Sequence, residues 1–488
     1  MMLKRSRPYS HLTVLGLAVV MLTLNGCGGG RASKGDASVS FDAPATGTFP
    51  VPAELQDNVN FWRHVYGKWG RGQVAFHDDR YLGVVYEVAD LPGPTTEGYT
   101  SQQRNWLSAR KADYAARLKS LHRRLSEGKP LSPDERELMA KFDRVGGRAA
   151  LAGADERVRS QRGLRERFRR GVEISGRYDA AFREIMRQHG VPEDLAYLPH
   201  VESSFQTHAR SSVGAGGVWQ FMPGTARQYM TLNRAVDERF DPIFAADGAA
   251  RYLSQAYRKL GSWPLAITSY NHGQGGMAKA KAIYGNDIGK IATRYNGRAF
   301  GFASRNFYAE FVAAREVASK PERYFPEGVN YESPWRHDRL VLHHSLPADH
   351  IARHYGVSSG ALSRINLHWD NRVRSGSLQL PAGTTIWLPE GSTRRVASQP
   401  PPVRTAVYVA KAETKAKPSP TAAPKQRVAA RAPKPKVTAA RYHVVKADET
   451  LYRVALKNGI SVDQLRKLNK MRPGETTIRP GQRLKVGI

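Results

Sequence analysis

The sequence predicts a mainly α-helical protein whose C-terminal part consists of small modules of mixed strand and helix. Two helix starts are marked by a capping side chain, Ser132 and Asp241, each followed directly by proline. Apolar residues recur at helical spacing through Ser101–Leu125 and again through Phe302–Ser319. After Pro334 this periodicity gives way to short mixed segments, which indicates a domain boundary there.

Size and charge limit the partners of this chain. Its 488 residues are enough for two or three domains, and its formal net charge is +32. Such an excess of positive charge implies an anionic neighbour: nucleic acid, anionic lipid or an acidic wall polymer. A basic start followed by the apolar run Leu12–Leu24 predicts a secretory signal, whose apolar core is too short to span a bilayer. An exported protein does not meet chromosomal DNA, so no nucleic-acid partner is expected.

Cys27 is the only cysteine of the chain. A disulfide within the chain and a zinc site built from several cysteines are therefore excluded. The stretch Leu24–Cys27 resembles a bacterial lipobox, in which the cysteine is lipidated and becomes the mature N-terminus. The alternative is a signal peptide that merely contains a cysteine. Because Gly28 rather than aspartate follows, analogy with such lipoproteins predicts an outer-membrane lipid anchor facing the periplasm.

The sequence is organised around the stretch Pro192–Phe205, which we expect to form a helix with a kink at Pro199, so that helical register along it is approximate. In helical register, Glu202 shares a face with the apolar residues Leu195, Leu198 and Phe205. Burial on that face raises the pKa of a carboxyl group, and a raised pKa lets the group act as an acid near neutral pH. The alternative interpretation is an ordinary surface glutamate.

Three short motifs follow one another in this part of the chain: Glu202-Ser203, Gly214–Pro223 and Ser269–Gly273. They resemble the three signature motifs of lysozyme-like lytic transglycosylases, which usually read Glu-Ser, Gly-Leu-Met-Gln and Ala-Tyr-Asn. The resemblance is strongest to the membrane-bound lytic murein transglycosylase D family. Members of that family commonly carry tryptophan where other branches carry methionine, as at Trp219.

The resemblance implies a lysozyme-like α-helical catalytic domain that cleaves the β-1,4 bond between N-acetylmuramic acid and N-acetylglucosamine in peptidoglycan. It implies that Glu202 is the single catalytic acid and base, helped by the acetamido group of the substrate, and that the product has a 1,6-anhydromuramyl end. It also implies substrate-binding roles for Ser203, Gln220, Tyr270 and Asn271. No metal is indicated, because the lone histidines near the motifs lack carboxylate or cysteine partners, and since no nucleotide-binding signature is present either, no cofactor is implied.

The sequence leaves two rival functions open. A hydrolase of the goose-lysozyme type would use the same fold and glutamate but needs a second carboxylate near the groove. The nearest acidic cluster contains Asp237, Glu238 and Asp241. Asp241 is better explained as a helix cap, which leaves Asp237 or Glu238 for that role. The second rival is a non-catalytic lipoprotein that binds peptidoglycan and so ties a membrane to the wall.

The predicted organisation runs from a signal at the N-terminus to a carbohydrate-binding module at the C-terminus. Its parts are a lipoprotein signal and lipobox at 1–27, a flexible tether at 28–55, an α-rich segment packing on the catalytic domain at 56–180, the transglycosylase (SLT) domain at 181–325, a diverged LysM-like module at 338–390, a disordered basic linker at 399–440 and a LysM domain at 441–488. The resemblance to LysM implies a small βααβ fold. In the first copy the usual Gly-Asp-Thr start is replaced by residues 346–349, a departure that bears on carbohydrate binding by that copy.

One basic stretch is given no catalytic role. Arg157–Arg187 is expected to be helical with an arginine-rich side, which we interpret as a solvated face near glycan or lipid. The predicted partners are therefore peptidoglycan glycan strands and, through the lipid anchor, a membrane. The sequence indicates no particular protein partner.

Overall fold

The computed structural model describes residues 47–403 and, apart from single residues and pairs between 447 and 477, residues 441–487. The signal, Cys27, and most of the tether and of the basic linker lie outside the described residues. Within them the chain is mainly α-helical, as predicted, and divides into two compact units, residues 1–335 and 336–488. No helix of this described part is both long and apolar enough to cross a membrane.

The first part of the larger unit is less uniformly helical than the α-rich segment predicted at 56–180. It contains a three-stranded antiparallel sheet in the order β2-β1-β3. Its elements are α1 Gln56–Gly67, β1 Gln73–Asp78, β2 Val85–Asp90, α2 Ser101–Ser126, α3 Pro133–Ala140, α4 Arg148–Leu151, β3 Val158–Arg162 and α5 Arg165–Ser175. Apolar side chains of the sheet and of α2, among them Phe76 and Tyr114, form a core of this part.

The prediction of continuous helix over Arg157–Arg187 is wrong. Val158–Arg162 forms strand β3, which pairs with β1 from a distant part of the chain. The guanidinium of Arg157 lies 3.0 Å from the buried carboxylate of Asp78 at the end of β1, and this ion pair holds the start of β3 against its partner. A turn at residues 176–178 then separates α5 from the next helix.

The second part of the larger unit is built from helices. They are α6 Asp179–Gln188, α7 Leu198–Glu202, α8 Pro223–Ala226, α9 Pro242–Leu260, α10 Trp263–His272, α11 Gln274–Tyr284, α12 Ile288–Arg294, α13 Phe302–Ser319 and α14 Pro321–Tyr324. The buried α9 packs against α6, α10 and α11. The carboxylate of Asp241 caps its start and Gly261 ends it with a φ of 66°, so both predicted ends are confirmed.

Helices α1 and α13 join the two parts. The buried guanidinium of Arg63 lies 2.5 Å from the carboxylate of Glu316, and the amide of Asn58 donates a hydrogen bond to the side-chain oxygen of Asn306 at 2.8 Å. α13 also packs against α7, and α7 contacts α5. The short helix that carries the first motif is therefore held between an element of each part.

The smaller unit contains two modules, of which the second has the predicted order strand, helix, helix, strand and the first adds a short third helix between its strands and another after them. The first consists of β4 His337–Val341, α15 Ala348–His354, α16 Ser359–Ile365, α17 Asn371–Arg374, β5 Thr385–Pro389 and α18 Ser392–Arg395, and the second of β6 Arg441–Val444, α19 Leu451–Asn458, α20 Val462–Leu468 and β7 Arg483–Gly487. In each module the two strands pair antiparallel.

An asparagine after the second helix ties each module together. Asn366 accepts a hydrogen bond from the N–H of Trp387 and donates one to the carbonyl of the same residue, both at 2.8 Å. Asn469 makes the same pair of bonds with Lys485 at 2.8 and 2.7 Å. Each amide group thus pairs with the closing strand as a neighbouring strand would. The two modules share this connection although their first helices begin with different residues.

Candidate active site

Glu202 is the last residue of α7, a helix of only five residues. A 3-10 turn over Glu193–Tyr197 leads into it, and the chain leaves it immediately, because Ser204 and Phe205 adopt left-handed conformations with φ of 52° and 57°. The prediction of one helix through Phe205 is therefore wrong. The burial that it predicted is nevertheless present, since Leu195, Leu198 and Phe205 are all at most 2% exposed. Phe205 reaches the core through the turn and not through helical register.

The environment of Glu202 favours its neutral form. The side chain is partly buried, and burial, reinforced by the nearby charge of Glu310, raises the pKa of Glu202 to about 8. The charge of Glu202 also acts on two tyrosines, Tyr66 and Tyr270. Burial and then the charges of Glu310 and Glu202 raise the pKa of Tyr66, and burial and then Glu202 raise the pKa of Tyr270. The site therefore contains two carboxylic acids and two phenol groups that stay protonated at neutral pH.

Glu310 was missed by the sequence reasoning. It lies on α13, which packs against α7, and burial raises the pKa of Glu310 to about 8. A signal for it was available in the sequence. Glu310 is three residues after Phe307 and four before Ala314, both of which are buried, so it belongs to the inward face of its helix. The argument applied to Glu202 would have found it.

The second motif meets the third through Trp219. The hydroxyl of Tyr270 donates a hydrogen bond to the carbonyl of Trp219 at 2.9 Å. The indole of Trp219 is fully buried and packs on Phe182 with ring centroids 5.2 Å apart, so it belongs to the core and is not a platform for a sugar. Gln220 follows with a φ of 47°, and its side-chain amide donates to the carbonyl of Gly217 at 2.7 Å. This left-handed backbone conformation turns the side chain of Gln220 away from the core, so that the residue is partly exposed.

Ser203 connects the first motif with the second. Its hydroxyl is buried and donates to the carbonyl of Val218 at 2.9 Å, so it braces the turn that follows Glu202. Asn271 is exposed, and its side-chain oxygen accepts a hydrogen bond from the hydroxyl of Ser304 on α13 at 2.8 Å. The three motifs are thus assembled at one place, with α13 as a fourth contributor. Contact of these side chains with a substrate stays a prediction.

The acidic cluster considered for a second carboxylate has structural partners. The carboxylate of Asp237 lies 2.7 Å from the guanidinium of Arg239, and that of Glu238 accepts a hydrogen bond from the N–H of Thr231 at 2.6 Å. Neither residue is among the charges that shift the pKa of Glu202, whereas Glu310 is. The carboxyl group to consider beside Glu202 is therefore Glu310, and not Asp237 or Glu238.

The histidines near the motifs have no arrangement suited to a metal. Within residues 47–403 and the described part of 441–487, no group of three or more histidine, cysteine, aspartate or glutamate side chains could hold a metal ion. His200, two residues before Glu202, is buried and stacks on Phe168 with ring centroids 4.9 Å apart. Burial lowers the pKa of His200 to about 3, so its ring is neutral and serves the packing of the site.

Comparison with known proteins gives matches over both units. Residues 180–292 match the family described as the transglycosylase SLT domain, and residues 443–487 match the LysM domain. The chain is 25% identical over 413 residues to the membrane-bound lytic murein transglycosylase D of Escherichia coli (strain K12), which covers 81% of this chain and 82% of that protein. It is 29% identical over 145 residues to the membrane-bound lytic murein transglycosylase F of Stutzerimonas stutzeri, over 25% of this chain and 29% of the relative.

A solved structure is also similar. It is that of an inactive mutant of the lytic transglycosylase Slt from Pseudomonas aeruginosa, with 19% sequence identity and a TM-score of 0.22. The similarity covers 30% of this chain and 24% of that one.

Proposed function

We propose that this chain, which carries a transglycosylase SLT domain and a C-terminal LysM domain, is a peptidoglycan lytic transglycosylase. The family matches and the full-length relative confirm the resemblance drawn from the three motifs, and they support this enzyme class. The structural observation that carries the proposal is Glu202. It is a carboxyl group at the end of a short helix, assembled with all three motifs, and its pKa of about 8 keeps it protonated at neutral pH.

The proposed reaction uses Glu202 twice. As an acid it donates its proton to the glycosidic oxygen between N-acetylmuramic acid and N-acetylglucosamine, and the C1–O bond breaks. The acetamido group of the substrate stabilises the positive charge that develops at C1. The carboxylate of Glu202 then removes the proton of the C6 hydroxyl, whose oxygen bonds to C1 and closes the 1,6-anhydro ring. Glu202 ends the cycle protonated, as it began.

We assign supporting roles to the neighbouring motif residues. Gln220 and Asn271 are accessible and anchored by hydrogen bonds, so they are suited to hold the saccharide. Tyr270 lies near enough to Glu202 that, in addition to burial, the charge of that carboxyl group raises its pKa, and its hydroxyl is fixed on the carbonyl of Trp219, so it is suited to position the scissile sugar. Ser203 contributes through its bond to the carbonyl of Val218, which fixes the turn after the acid.

The protonation of Glu310 argues against the hydrolase. A hydrolase of the inverting type needs an ionised second carboxylate to activate water, and a retaining one needs it as nucleophile. Glu310 has a pKa raised to about 8 and is therefore mainly a neutral acid at pH 7. Two partly buried carboxyl groups that raise one another's cost of ionisation are more often found at functional sites, which disfavours a purely non-catalytic binding protein.

One variant and one mass measurement test this proposal. Glutamine has nearly the shape of glutamate but transfers no proton, so Glu202→Gln should keep the fold and lose cleavage by about 10²–10⁴-fold or more. Wild-type digestion of peptidoglycan should yield 1,6-anhydromuramyl ends, lighter by one water than hydrolysed ends. Reducing muramyl ends as the main product would establish the hydrolase, and undiminished cleavage by Glu202→Gln would remove Glu202 from the mechanism.

We also propose that the protein works at the outer membrane, lipid-anchored through Cys27 and facing the periplasm. Support comes from the lipobox-like stretch Leu24–Cys27 and from the relative in E. coli, which is described as membrane-bound. Acyl chains on one cysteine would anchor the chain firmly, since each buried methylene contributes about 0.8 kcal/mol. No membrane-spanning segment would then be needed.

The anchor is tested by labelling. A radiolabelled fatty acid should be incorporated into the wild type, which should sediment with membranes, and Cys27→Ser should be unlabelled and soluble. Ser33→Ala, a change close to the cysteine that leaves the lipobox intact, should behave as the wild type. Equal labelling of the wild type and Cys27→Ser would show that Cys27 is not the lipidated residue.

A further inference from the structure

A cleft opens directly beside the turn that follows Glu202. It has a volume of about 240 Å³. One wall is formed by residues 206–209, which continue the chain after the first motif, and the other by Arg167 and Arg170 of α5 together with Arg71 and Glu97. The cleft therefore belongs to the arginine-rich segment for which the sequence suggested only a solvated face. Its lining has more positive than negative side chains.

Two of the three arginines in this cleft are neutralised by the protein. The guanidinium of Arg71 lies 3.0 Å from the carboxylate of Glu97. That of Arg170 lies 3.0 Å from the carboxylate of Glu173 and also pairs with Glu332. Both positive charges are therefore matched without a ligand.

Arg167 differs from its neighbours. Its side chain is partly buried, and no carboxylate of the described residues forms a salt bridge with it, although the charge of Glu97 acts on it. Among the described residues its hydrogen bond is a long one, at 3.4 Å, to the carbonyl of Ser203. A guanidinium keeps its charge even when burial removes water from it, so a charge in this position costs free energy unless an anion pairs with it. The planar fork of arginine matches a carboxylate with two parallel hydrogen bonds.

The position of the Arg167 guanidinium links it to the proposed reaction. Arg167 contacts the carbonyl of the residue next to Glu202, and one turn further along α5 the backbone of Gly171 packs closely on Ser204. A group bound at Arg167 therefore lies beside the backbone turn that immediately follows the proposed acid. A substrate that places its glycosidic bond at Glu202 has to extend its other groups over the surrounding surface, and the cleft is part of that surface.

We propose that this cleft binds a carboxylate of the peptide stems that peptidoglycan strands carry, with Arg167 as the carboxylate-binding residue. The inference rests on the proposed function, since it concerns the substrate of that same site. Stem peptides branch from the muramyl residue at the cleaved bond and carry free carboxylates. The protein would therefore favour strands whose stems are present and not amidated.

The test compares two preparations of the same strands, one with free stem carboxylates and one in which a carbodiimide and ammonia have converted these to amides. Binding is measured with full-length protein carrying Glu202→Gln, so that the strands stay intact. Adding Arg167→Gln should weaken binding of the free-carboxylate strands by about tenfold or more and leave binding of the amidated strands unchanged. Arg167→Lys keeps the positive charge but not the planar fork of donors. Its affinity for free-carboxylate strands should therefore lie between those of Arg167 and Arg167→Gln.

Arg169→Gln is the matched control. Arg169 is on the same helix but outside the cleft, where its guanidinium pairs with Glu173 and Glu327. Its removal takes away the same charge and should change binding of neither preparation. If the loss of binding came from net charge alone, Arg167→Gln and Arg169→Gln would weaken binding of the strands equally.

Kinetics with Glu202 intact separate the possible results. Arg167→Gln should raise KM for free-carboxylate strands only and leave kcat in place. An equal loss on both preparations would mean that Arg167 merely braces the turn at Ser203, and this would overturn the proposal. Equal cleavage of both preparations by the wild type would overturn it too. If the wild type cleaves neither preparation, the proposed function itself fails, which is a separate result. Thermal melting of each variant shows that the fold is retained.

Discussion

Glu202 and Glu310 come from helices that are far apart in the sequence, and burial raises the pKa of both to about 8. The repulsion between two such groups acts on both, so the pair loses its protons in two coupled steps. Catalysis by a protonated Glu202 therefore requires a pH below the apparent pKa of the first of these two deprotonation steps. The activity should fall on the alkaline side, in the region of pH 8.

Glu310→Gln removes one member of the pair and should move this alkaline limit to lower pH. Without the charge of Glu310 the remaining cause of the raised pKa of Glu202 is burial alone, so its carboxyl group ionises earlier. The measurement is the pH profile of kcat/KM on purified strands between pH 5 and pH 9. An unchanged alkaline limit would mean that Glu310 does not act on Glu202.

Stability provides a second readout of the same variant. A carboxyl group whose pKa is raised by folding stabilises the fold below its unfolded pKa, and this contribution is lost as the pH rises through the folded value near 8. The wild type should therefore lose unfolding free energy between about pH 4.5 and pH 8, and Glu310→Gln should lose less over the same range. Asp237→Asn is the control, because Asp237 pairs with Arg239 and should shift neither the alkaline limit nor this slope.

The residues of the site were predictable to different degrees. Glu202 and its apolar neighbours followed from register and motif, although the chain reaches Phe205 through a left-handed turn that no periodicity reveals. Trp219 was known from the sequence only as a motif residue, and its complete burial shows that it packs in the core. Glu310 could have been found as a carboxylate on the inward face of α13. That it meets Glu202 could not, because the contact of α13 with α7 is tertiary.

Helix α5 shows how an element carries the site. It contacts the turn after Glu202 with Arg167 and with Gly171, where an added Cβ would lie 2.8 Å from the carbonyl oxygen of Ser204. The backbone of Gly171 is an ordinary helical one, so the glycine is required by the close approach and not by its conformation. The close approach of α5 to the turn after Glu202 is thus possible because position 171 carries no side chain.

Gly171→Ala should therefore lower both stability and activity, although alanine favours helices over glycine by about 1 kcal/mol. The clash with Ser204 must shift either α5 or the turn that positions Glu202, and overpacking of this kind costs about 1–3 kcal/mol. Gly275→Ala is the matched control. Gly275 lies in α11, where an added Cβ would meet no other atom within 4 Å, so this change should be neutral or slightly stabilising. Thermal melting and turnover of both variants check the pair, and equal melting temperatures would contradict the close approach.

At the level of elements, the sequence predicted best where local signals mark both ends of a helix. α9 begins at a capping aspartate before proline and ends at a left-handed glycine, and both ends were found. α13 also has the bounds that its apolar spacing predicts. β3 was predicted as helix, because its arginines suit a solvated helix and its strand partner β1 lies far away in the sequence. Pairing with that partner outweighs the local preference.

The whole molecule separates a unit with the proposed chemistry from a unit with two small modules. The asparagine connections at Asn366 and Asn469 show that both modules close in the same way. The second module matches the LysM family. Partial burial raises the pKa of its Glu449, but hydrogen bonds from the N–H of Lys446 and from the side chains of Lys457 and His443 outweigh burial and hold that pKa at about 2. We expect this module to add affinity for the wall without taking part in the reaction.

A truncated protein ending at Val403 tests this division. The end point follows from the structure, because the carbonyl groups of Ser398 and Pro401 lie 2.9 Å from the ring nitrogens of His354 and His350 and so belong to the first module. Removal of the LysM module takes away one of the linked binding sites, so retention on insoluble peptidoglycan should fall by on the order of tenfold or more. Turnover of soluble fragments, which do not depend on a second site, should stay nearly unchanged.

Because the truncation also removes the basic linker, a full-length variant has to separate fold from charge. Asn469→Ala leaves every charge in place but removes the partner of the N–H and carbonyl of Lys485, and leaving such groups unpaired costs about 1–3 kcal/mol. If the folded module binds the wall, Asn469→Ala should also reduce retention on insoluble peptidoglycan, at least at temperatures where the module melts. Full retention by Asn469→Ala beside a loss in the truncated protein would assign the affinity to the linker charges. A loss of soluble-fragment turnover by a truncated protein with an intact first unit would show that the module takes part in the reaction after all.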